Sequence, residues 1–327
     1  MNPTSLNTVG TDGFERISIQ NSFLRCEYMP GLGGKISSIT DVRTQREWLW
    51  RHPRMAYAIV PSTASYVSTA DTGGWDECFP TVGTCQYPAE PWLGAFLADH
   101  GELWCQTPHS ELVPDGDAIV IATSWQGINL PYTFERRLRI DDSEQLTLDY
   151  CVTNQGAAPL HWIWCAHPLM AIEPGMGVHT PEGTVFFRQG ANGSLTSEPA
   201  YAIHPTSDKT LDLRVLPERT SGYGVKLYSD VLPRGWVELR AHDGSLAMEW
   251  DVREVPQLAI WFNAGAWSAD GGTPYYNMGI EPAIGVYDPL SDAYTKTVTY
   301  ATLAPGQQRR WQVRVRIDAV TKGACDD

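Results

Sequence analysis

Alternation of apolar and polar residues with a period of two dominates this chain. WQVRVRI (311–317) and LTLDY (146–150) alternate without a break, and YTFERRLRI (132–140) nearly does. Successive side chains of a β-strand point to opposite faces, so each segment predicts a strand with one buried face. Further strands are predicted at six segments rich in β-branched and aromatic residues, namely IVIATSW (119–125), WIWCA (162–166), WVELR (236–240), LAMEW (246–250), LAIWF (258–262) and TVTYATL (297–303).

Turn-forming stretches such as DGD, DDSEQ, NQGAAP and HDGS separate these predicted strands. No segment carries an apolar stripe with the 3.6-residue period of a major helix, so an alternating βαβ architecture is not expected. We therefore predict an all-β protein with large, mainly antiparallel sheets packed face to face. No linker is evident, so residues 1–327 are expected to form one domain with flexible ends at about 1–12 and 318–327.

The charge balance narrows the class of ligand. The chain has 24 basic and 38 acidic residues, a formal net charge of −14. This excess argues against nucleic acid or an anionic membrane surface as a partner and favours a neutral ligand. No apolar run approaches the ~18–20 residues of a membrane span, and MNPTSLNTVG lacks the features of a signal peptide. A soluble cytoplasmic protein is the expectation, and the oligomeric state is not predicted.

Motifs for metal ions and activated nucleophiles are incomplete. The seven cysteines are odd in number, scattered and never spaced as C-x-x-C, which predicts buried reduced thiols instead of disulfides or a zinc site. HGE (100–102) begins a zinc deaminase signature, but no P-C-x-x-C follows it. HExxH and G-x-S-x-G are also absent, so zinc hydrolases and nucleophile-elbow esterases are excluded.

The glycine-rich stretch PGLGGKISS (30–38) is similar to a phosphate-binding loop, but Ile36 stands where that loop needs Ser or Thr after its lysine. A glycine-rich turn between strands is the simpler interpretation. Lys35 is then either solvated or directed into a cleft, and the solvated position is favoured.

Three polar residues stand at the ends of predicted strands or inside one. His100 in DHGELW and His167 in WCAHPLM lie where a sheet meets a loop, although each histidine alone is more typical of a structural role. Glu281 in NMGIEPAIGVYD lies among apolar residues, where a carboxylate is rare unless it is paired or functional. Pro282 biases Glu281 toward an extended conformation.

These motifs occur in an order that resembles one known family. MPGLGGKISSITDVRTQREWLW (29–50), DHGELW (99–104), AHPLM (166–170), GIEPAIG (279–285) and LAPGQQRRWQVRVRI (303–317) resemble segments of the aldose 1-epimerases, the galactose mutarotase-like proteins. The similarity runs from about residue 22 to 317. His100 and His167 are 67 residues apart, and Glu281 follows 114 residues after His167.

The resemblance implies a β-supersandwich that binds a monosaccharide on one face of a sheet. It implies that Glu281 is the general base for the anomeric hydroxyl and that His167 is the general acid for the ring oxygen. His100 would hydrogen-bond the sugar. No metal or organic cofactor is implied, and ordinary pKa values of ~4.3 for Glu and ~6.5 for His suit such proton transfers.

GGWDECFP (73–80) is the next candidate segment for sugar contact. The Gly73-Gly74 turn would present Trp75 and Asp76 to a cleft. Both residues suit contact with a sugar, because tryptophan stacks on sugar rings and carboxylates accept hydrogen bonds from sugar hydroxyls. The alternative is a solvated loop with a core tryptophan. Both interpretations stay open for Asp76, and the solvated loop is favoured for Glu77.

The chain also departs from the better-known galactose mutarotases. Their arginine before the first histidine is replaced here by the acidic GGWDECFP, and their Asp-His motif between the second histidine and the glutamate is absent. GYGVKLYSD (222–230) lies in that interval, and its Lys226 either contacts a ligand or is solvated at a strand edge, the solvated position being favoured. The identity of the sugar therefore stays open, including a phosphosugar. Two rival functions are a noncatalytic sugar-binding domain and a glycoside hydrolase that uses Glu281 and Asp76 as a carboxylate pair.

Overall fold

Strands make up nearly all of the regular structure in the computed structural model, which describes residues 2–190, 195, 200–201 and 212–320. The strands of these residues are, in chain order, β1 (Thr4–Val9), β2 (Glu15–Gln20), β3 (Leu24–Met29), β4 (Lys35–Asp41), β5 (Trp75–Cys78), β6 (Cys85–Gln86), β7 (Phe96–Leu97), β8 (His109–Asp115), β9 (Ala118–Gln126), β10 (Tyr132–Ile140), β11 (Gln145–Asn154), β12 (Leu160–Trp162), β13 (Trp164–Ala171), β14 (Gly177–His179), β15 (Val185–Arg188), β16 (Ala200–Tyr201), β17 (Tyr223–Ser229), β18 (Trp236–Arg240), β19 (Gly244–Trp250), β20 (Gln257–Ala264), β21 (Tyr276–Ile284), β22 (Ala301–Leu303) and β23 (Gln308–Ala319). Within the same described ranges, the helical turns are α1 (Tyr66–Thr69), α2 (Leu290–Asp292), a 3-10 turn (Arg219–Ser221) and a π-helical turn (Ala293–Thr297).

Two large antiparallel sheets contain most of these strands. The first has eleven strands in the order β1-β2-β3-β4-β5-β13-β21-β20-β17-β15-β16. The second has eight, in the order β14-β18-β19-β23-β11-β10-β9-β8. The pairs β12–β22 and β6–β7 form small separate sheets. The predicted all-β architecture of large antiparallel sheets is therefore confirmed.

The hydrophobic core lies between the two large sheets. In β23 buried residues alternate with exposed ones from Trp311 to Ile317, as the period-two pattern predicts. Trp164 of β13 lies 5.0 Å, between ring centres, from both Tyr150 and Trp311 of the opposite sheet. Such aromatic contacts join the sheets, and each large apolar side chain contributes about 1.5–3 kcal/mol through burial.

A buried ion pair also crosses this core. The guanidinium of Arg136 in β10 lies 3.0 Å from Glu77 Oε1, and Tyr150 and Trp164 donate hydrogen bonds to the same carboxylate at 2.9 Å each. The expectation that Glu77 lies in a solvated loop is wrong, because WDEC forms the interior strand β5 and its pleat directs Glu77 into the core.

Most predicted strands are present, and one is shorter than predicted. YTFERRLRI and WVELR match β10 and β18 residue for residue, whereas WIWCA is divided at Ile163 between β12 and β13. In TVTYATL the chain leaves the π-helical turn at Thr297, Val298 adopts a left-handed φ of 56°, and the strand begins only at Ala301.

The predicted flexible N-terminal end contains β1, which pairs with β2. In the predicted flexible C-terminal end, residues 321–327 lie outside the described residues. The six described cysteines form no disulfide with one another, and Cys325 lies outside the described part. No helix in the described ranges is long and apolar enough to cross a membrane.

Candidate active site

A cavity of about 430 Å³ lies on the eleven-stranded sheet, on the face that points away from the core. This volume falls within the ~300–1,000 Å³ range of small-molecule sites. Its floor is formed by residues of four adjacent strands, namely His167 and Leu169 (β13), Glu281 (β21), Trp261 (β20), and Gly224 and Lys226 (β17). Loop residues complete the walls, among them Asp71, Asp99, His100, Trp267 and Asp288.

Strand register explains why residues distant in sequence meet on this floor. The pairing of β13 with β21 brings His167 opposite Glu281, since Cys165 pairs with Ala283 and Leu169 with Gly279. Directly paired residues of antiparallel strands point to the same face of a sheet. One transverse row therefore crosses five strands and contains Asp76, His167, Glu281, Ala259 and Tyr228.

Glu281 is the most enclosed polar residue of the cavity, with its side chain only 1% exposed. Its Oε1 atom lies 3.2 Å from His167 Nδ1, and its Oε2 atom is bound by the Lys226 ammonium and lies 3.4 Å from Cys165 Sγ. Gly279 leaves room for the carboxylate in this position, because a Cβ there would collide with Glu281 Oε1. Small neighbours thus leave room for Lys226 to reach across from β17.

The charges around Glu281 outweigh its burial. Burial raises the pKa of the Glu281 carboxyl, but the Lys226 charge and the His167 hydrogen bond lower that pKa to well below its ordinary value. An ionised carboxylate only accepts hydrogen bonds, so His167 Nδ1 carries the hydrogen in their contact. The other ring nitrogen, Nε2, is then the atom of His167 available to a ligand.

Lys226 differs from its predicted place. Its side chain is 14% exposed and its ammonium pairs with Glu281, so the expectation of a solvated lysine is wrong. Burial lowers the pKa of Lys226, but the charges of Glu281 and Asp288 raise it more, and the net pKa lies above the ordinary lysine value. Lys226 therefore stays a cation at neutral pH.

His100 lies beside His167 at one wall of the cavity, with 4.9 Å between the ring centres. It adopts a left-handed φ of 59°, and the Gly101 that follows also has a positive φ, where a Cβ would collide with the Phe79 carbonyl. Nδ1 of His100 lies 2.9 Å from Asp99 Oδ1. Burial lowers the pKa of His100, but the hydrogen bond and charge of Asp99 raise it to a net value above the ordinary one.

Three predicted site residues do not line the cavity. Asp76 shares the face of His167, but Tyr66 covers it, with the Tyr66 hydroxyl donating a 2.6 Å hydrogen bond to Asp76 Oδ2. Lys35 is not solvated as expected, because its buried ammonium binds Asp76 and donates a 2.7 Å hydrogen bond to the Gly73 carbonyl. Trp75 points into the core between the sheets and is fully buried.

Asp76 and Lys35 therefore support the site from beneath. The Tyr66 ring that Asp76 holds also stacks on His100, with ring centres 4.2 Å apart and planes 20° apart. This arrangement connects the Lys35–Asp76 ion pair to the orientation of the His100 ring.

The structure also adds cavity residues that sequence reasoning did not select. Trp261 and Trp267 form an aromatic wall with ring centres 6.3 Å apart, and Trp267 is 38% exposed. Asp71 and Asp288 add two carboxylates, and Asp288 accepts a 2.6 Å hydrogen bond from Tyr228. A weak sequence signal exists, since two tryptophans stand six residues apart around the turn NAGAWS. Among the described residues, no group of His, Cys, Asp and Glu side chains is arranged to hold a metal ion.

No protein-family model and no curated protein matches this chain. Among solved structures, a galactose mutarotase-like protein from Clostridium acetobutylicum has a TM-score of 0.69 at 13% identity, with 98% of this chain and 99% of that chain covered. A galactose mutarotase-like protein from Lactobacillus casei has a TM-score of 0.62 at 18% identity, with 92% and 99% covered.

A larger protein also contains this fold. A TPR-domain containing protein from Parabacteroides distasonis has a TM-score of 0.63 at 14% identity and covers 93% of this chain, but this chain spans only 47% of that protein. Identities this low, combined with coverage this complete, bear on the fold alone. The chain has the fold of the galactose mutarotase-like proteins.

Proposed function

We propose that the protein is an aldose 1-epimerase, which interconverts the α and β anomers of a monosaccharide by acid and base catalysis. The observation that carries this proposal is the 3.2 Å contact between Glu281 Oε1 and His167 Nδ1 on the floor of a sugar-sized cavity. The shared fold with galactose mutarotase-like proteins adds support. Trp261 and Trp267 provide the apolar surfaces on which the C–H faces of sugars pack.

The reaction needs one group that takes a proton and one that gives a proton. Glu281 takes the proton of the anomeric hydroxyl O1 while the C1–O5 bond breaks, and His167, protonated at Nε2, gives a proton to O5. The open-chain aldehyde then rotates about C1–C2. Ring closure on the other face of the carbonyl reverses both proton transfers and restores Glu281 and His167, so no proton is consumed.

His100 is assigned to hydrogen bonding of the same ring oxygen. Its ring lies next to that of His167, and Asp99 favours its protonated, donating form. A donor aimed at the oxygen where negative charge develops stabilises the transition state more than the ground state.

The charge of the cavity favours an unphosphorylated sugar. Among the described residues that line the cavity, Asp71, Asp99, Glu281 and Asp288 carry carboxylates and Lys226 is the one lysine. A sugar phosphate would bring negative charge close to these carboxylates at a cost, whereas hydroxyls donate hydrogen bonds to them.

A noncatalytic sugar-binding domain is the second candidate, and one observation favours it. Both oxygens of Glu281 are engaged in the structure, Oε1 by His167 and Oε2 by Lys226, so neither is free to take a proton without a rearrangement. The hydrolase hypothesis has less support, because Asp76 is bound by Lys35 and Tyr66 and does not line the cavity.

Polarimetry and exchange NMR on freshly dissolved D-galactose and D-glucose test the proposal. Glu281→Gln and His167→Asn should each stay folded and lose about 10²–10⁴ of the enzymatic rate, the usual contribution of one acid or base. Glu102→Gln is the matched control. Glu102 is a buried carboxylate outside the cavity, with Tyr132 and the Ile128 amide as its hydrogen-bond donors, and glutamine can accept both bonds.

The outcomes separate the candidates. Loss of rate in both cavity variants, with the Glu102→Gln rate unchanged, supports the epimerase. If the wild type binds sugars but leaves anomer exchange at its spontaneous rate, the binding domain takes its place. Release of the aglycone from an aryl glycoside would favour a hydrolase.

A further inference from the structure

Lys226 covers the carboxylate that the proposed reaction requires. The exposed fractions of the three side chains fall from 14% for Lys226 to 8% for His167 and 1% for Glu281. A hydroxyl that enters the cavity therefore meets the ammonium of Lys226 and the ring of His167 before it meets Glu281. In this arrangement the lysine and the Cys165 thiol contact Oε2 and His167 contacts Oε1, so both oxygens of the carboxylate are engaged.

A second carboxylate stands on the same side of the cavity as an alternative partner for this lysine. Asp288 lines the cavity and, within the described part of the chain, forms no ion pair. Its Oδ1 accepts a 2.6 Å hydrogen bond from the Tyr228 hydroxyl. The Lys226 ammonium lies 5.4 Å from the centre of the same Tyr228 ring. The flexible four-carbon stem of lysine allows such a move within one site.

We propose that Lys226 is a displaceable cover of Glu281, which moves to Asp288 when a sugar hydroxyl takes its place on the carboxylate. The exchange keeps the ammonium paired with a carboxylate in both positions, so no buried charge is left alone. It also turns Glu281 from a closed ion pair into an open acceptor. The inference rests on the proposed function in so far as Glu281 is the base, and it makes Lys226 the residue that couples sugar binding to the basicity of Glu281.

The other groups around Glu281 do not provide this coupling. The groups that face Glu281 from the surrounding elements are His167 and Cys165 on β13, Lys226 and Tyr228 on β17 and Cys78 on β5, while Asp288 in the loop after β21 acts on Lys226. Burial raises the pKa of both thiols and of the Tyr228 hydroxyl well above their ordinary values, so these groups stay neutral. Lys226 and His167 are the groups that contact Glu281 from the cavity side, and the short side chain of His167 has less reach than the four-carbon stem of Lys226.

Infrared difference titration tests the cover in the empty protein. The band of the protonated Glu281 carboxyl is identified as the band lost in Glu281→Gln. In Lys226→Met this band should emerge about one to three pH units higher than in the wild type, the usual effect of removing an adjacent opposite charge. Lys226→Arg keeps the charge and should titrate like the wild type, and Lys226→Gln replaces the methionine variant if that variant does not fold.

Sugar addition then tests the displacement itself. With D-galactose or D-glucose bound, the Glu281 band of the wild type should shift upward toward its position in Lys226→Met. Asp288→Asn removes the second partner but keeps an acceptor for Tyr228, so in this variant the sugar-induced shift should shrink or vanish. An unchanged Glu281 titration with both sugars, or a full shift in Asp288→Asn, would overturn the proposal.

The spectroscopic readout does not depend on turnover. A sugar-induced shift without accelerated anomer exchange would support the displacement of Lys226 and contradict the epimerase function. Accelerated exchange without any shift would support the epimerase function and contradict the displacement, since Glu281 would then act as the base while Lys226 stays paired with it.

Discussion

Glu77 and Glu281 are two buried glutamates of the same sheet, and each is paired with a cation from another strand. Glu77 points into the core, where Arg136, Tyr150 and Trp164 satisfy it, and all of these groups are fully enclosed. Glu281 points to the opposite face, where Lys226 and His167 lie between it and a cavity. Burial raises the pKa of Glu77 more than Arg136 lowers it, whereas the charges around Glu281 lower its pKa despite burial.

The difference shows that a buried carboxylate in an apolar strand is not by itself evidence of function. Glu77 has the sequence environment of a site residue, in GGWDECFP, yet it joins two sheets. Glu281 becomes a candidate because its partners His167 and Lys226 border a cavity. What distinguishes the two residues is the face of the sheet that the pleat gives them.

Removing the cation should destabilise the protein more at the Glu77 pair than at the Glu281 pair. Arg136→Met should lower the free energy of unfolding by about 3–5 kcal/mol, because it strands a fully buried carboxylate. Lys226→Met should cost clearly less, since its loss opens Glu281 to the cavity and its water. Urea unfolding at neutral pH measures both values, and equal losses would erase the contrast between core and cavity.

The two glutamates should also give opposite pH dependences of stability. Because the pKa of Glu281 is depressed, its contribution to stability is present at pH values above the pKa of ~4.3 that a glutamate has in the unfolded chain. This contribution is lost as pH falls below that value toward the folded pKa. The raised pKa of Glu77 means that its contribution is present below ~4.3 and is lost as pH rises through the folded pKa.

Urea unfolding from about pH 3 to about pH 7 tests this with the difference between wild type and each glutamine variant. As pH rises through this range, the free energy of unfolding of the wild type should increase relative to that of Glu281→Gln. Over the same range it should decrease relative to that of Glu77→Gln. Slopes of the same sign would mean that Arg136 governs Glu77 as Lys226 governs Glu281.

Much of the fold could be predicted from the sequence, because a period of two encodes burial directly. β10 and β18 match their predicted segments, and the alternation in β23 continues through its buried residues. The strand predicted at TVTYATL is shorter than expected, because β-branched residues favour strands only on average, and here the π-helical turn and the left-handed Val298 precede a strand that begins at Ala301.

Less of the site could be predicted from the sequence, since the sequence does not show which strands pair or in what register. His100, His167 and Glu281 could be selected from motif order, and the structure brings them to one cavity. Lys226 could not, because its contact with Glu281 needs the register of three strands and the small residues Ala259 and Gly279 between them. Lys35 and Asp76 were selected for their chemistry, but the position of Tyr66 decides that they lie beneath the site.

Stabilisation by a bound sugar should be the smallest effect and the most direct test of which glutamate serves the cavity. At ten times the dissociation constant, a ligand that binds only the folded state adds about 1.4 kcal/mol to the free energy of unfolding. Glu77→Gln should keep this increment on top of its lower basal stability, because its carboxylate never meets the ligand. Glu281→Gln should lose a large part of it at the same sugar concentration, since an amide cannot replace an anionic acceptor in the polar floor of the cavity. Urea unfolding with and without D-galactose or D-glucose measures the increment in each variant. A full increment in Glu281→Gln, or a lost one in Glu77→Gln, would show that the sugar binds elsewhere and would move the functional assignment away from this cavity.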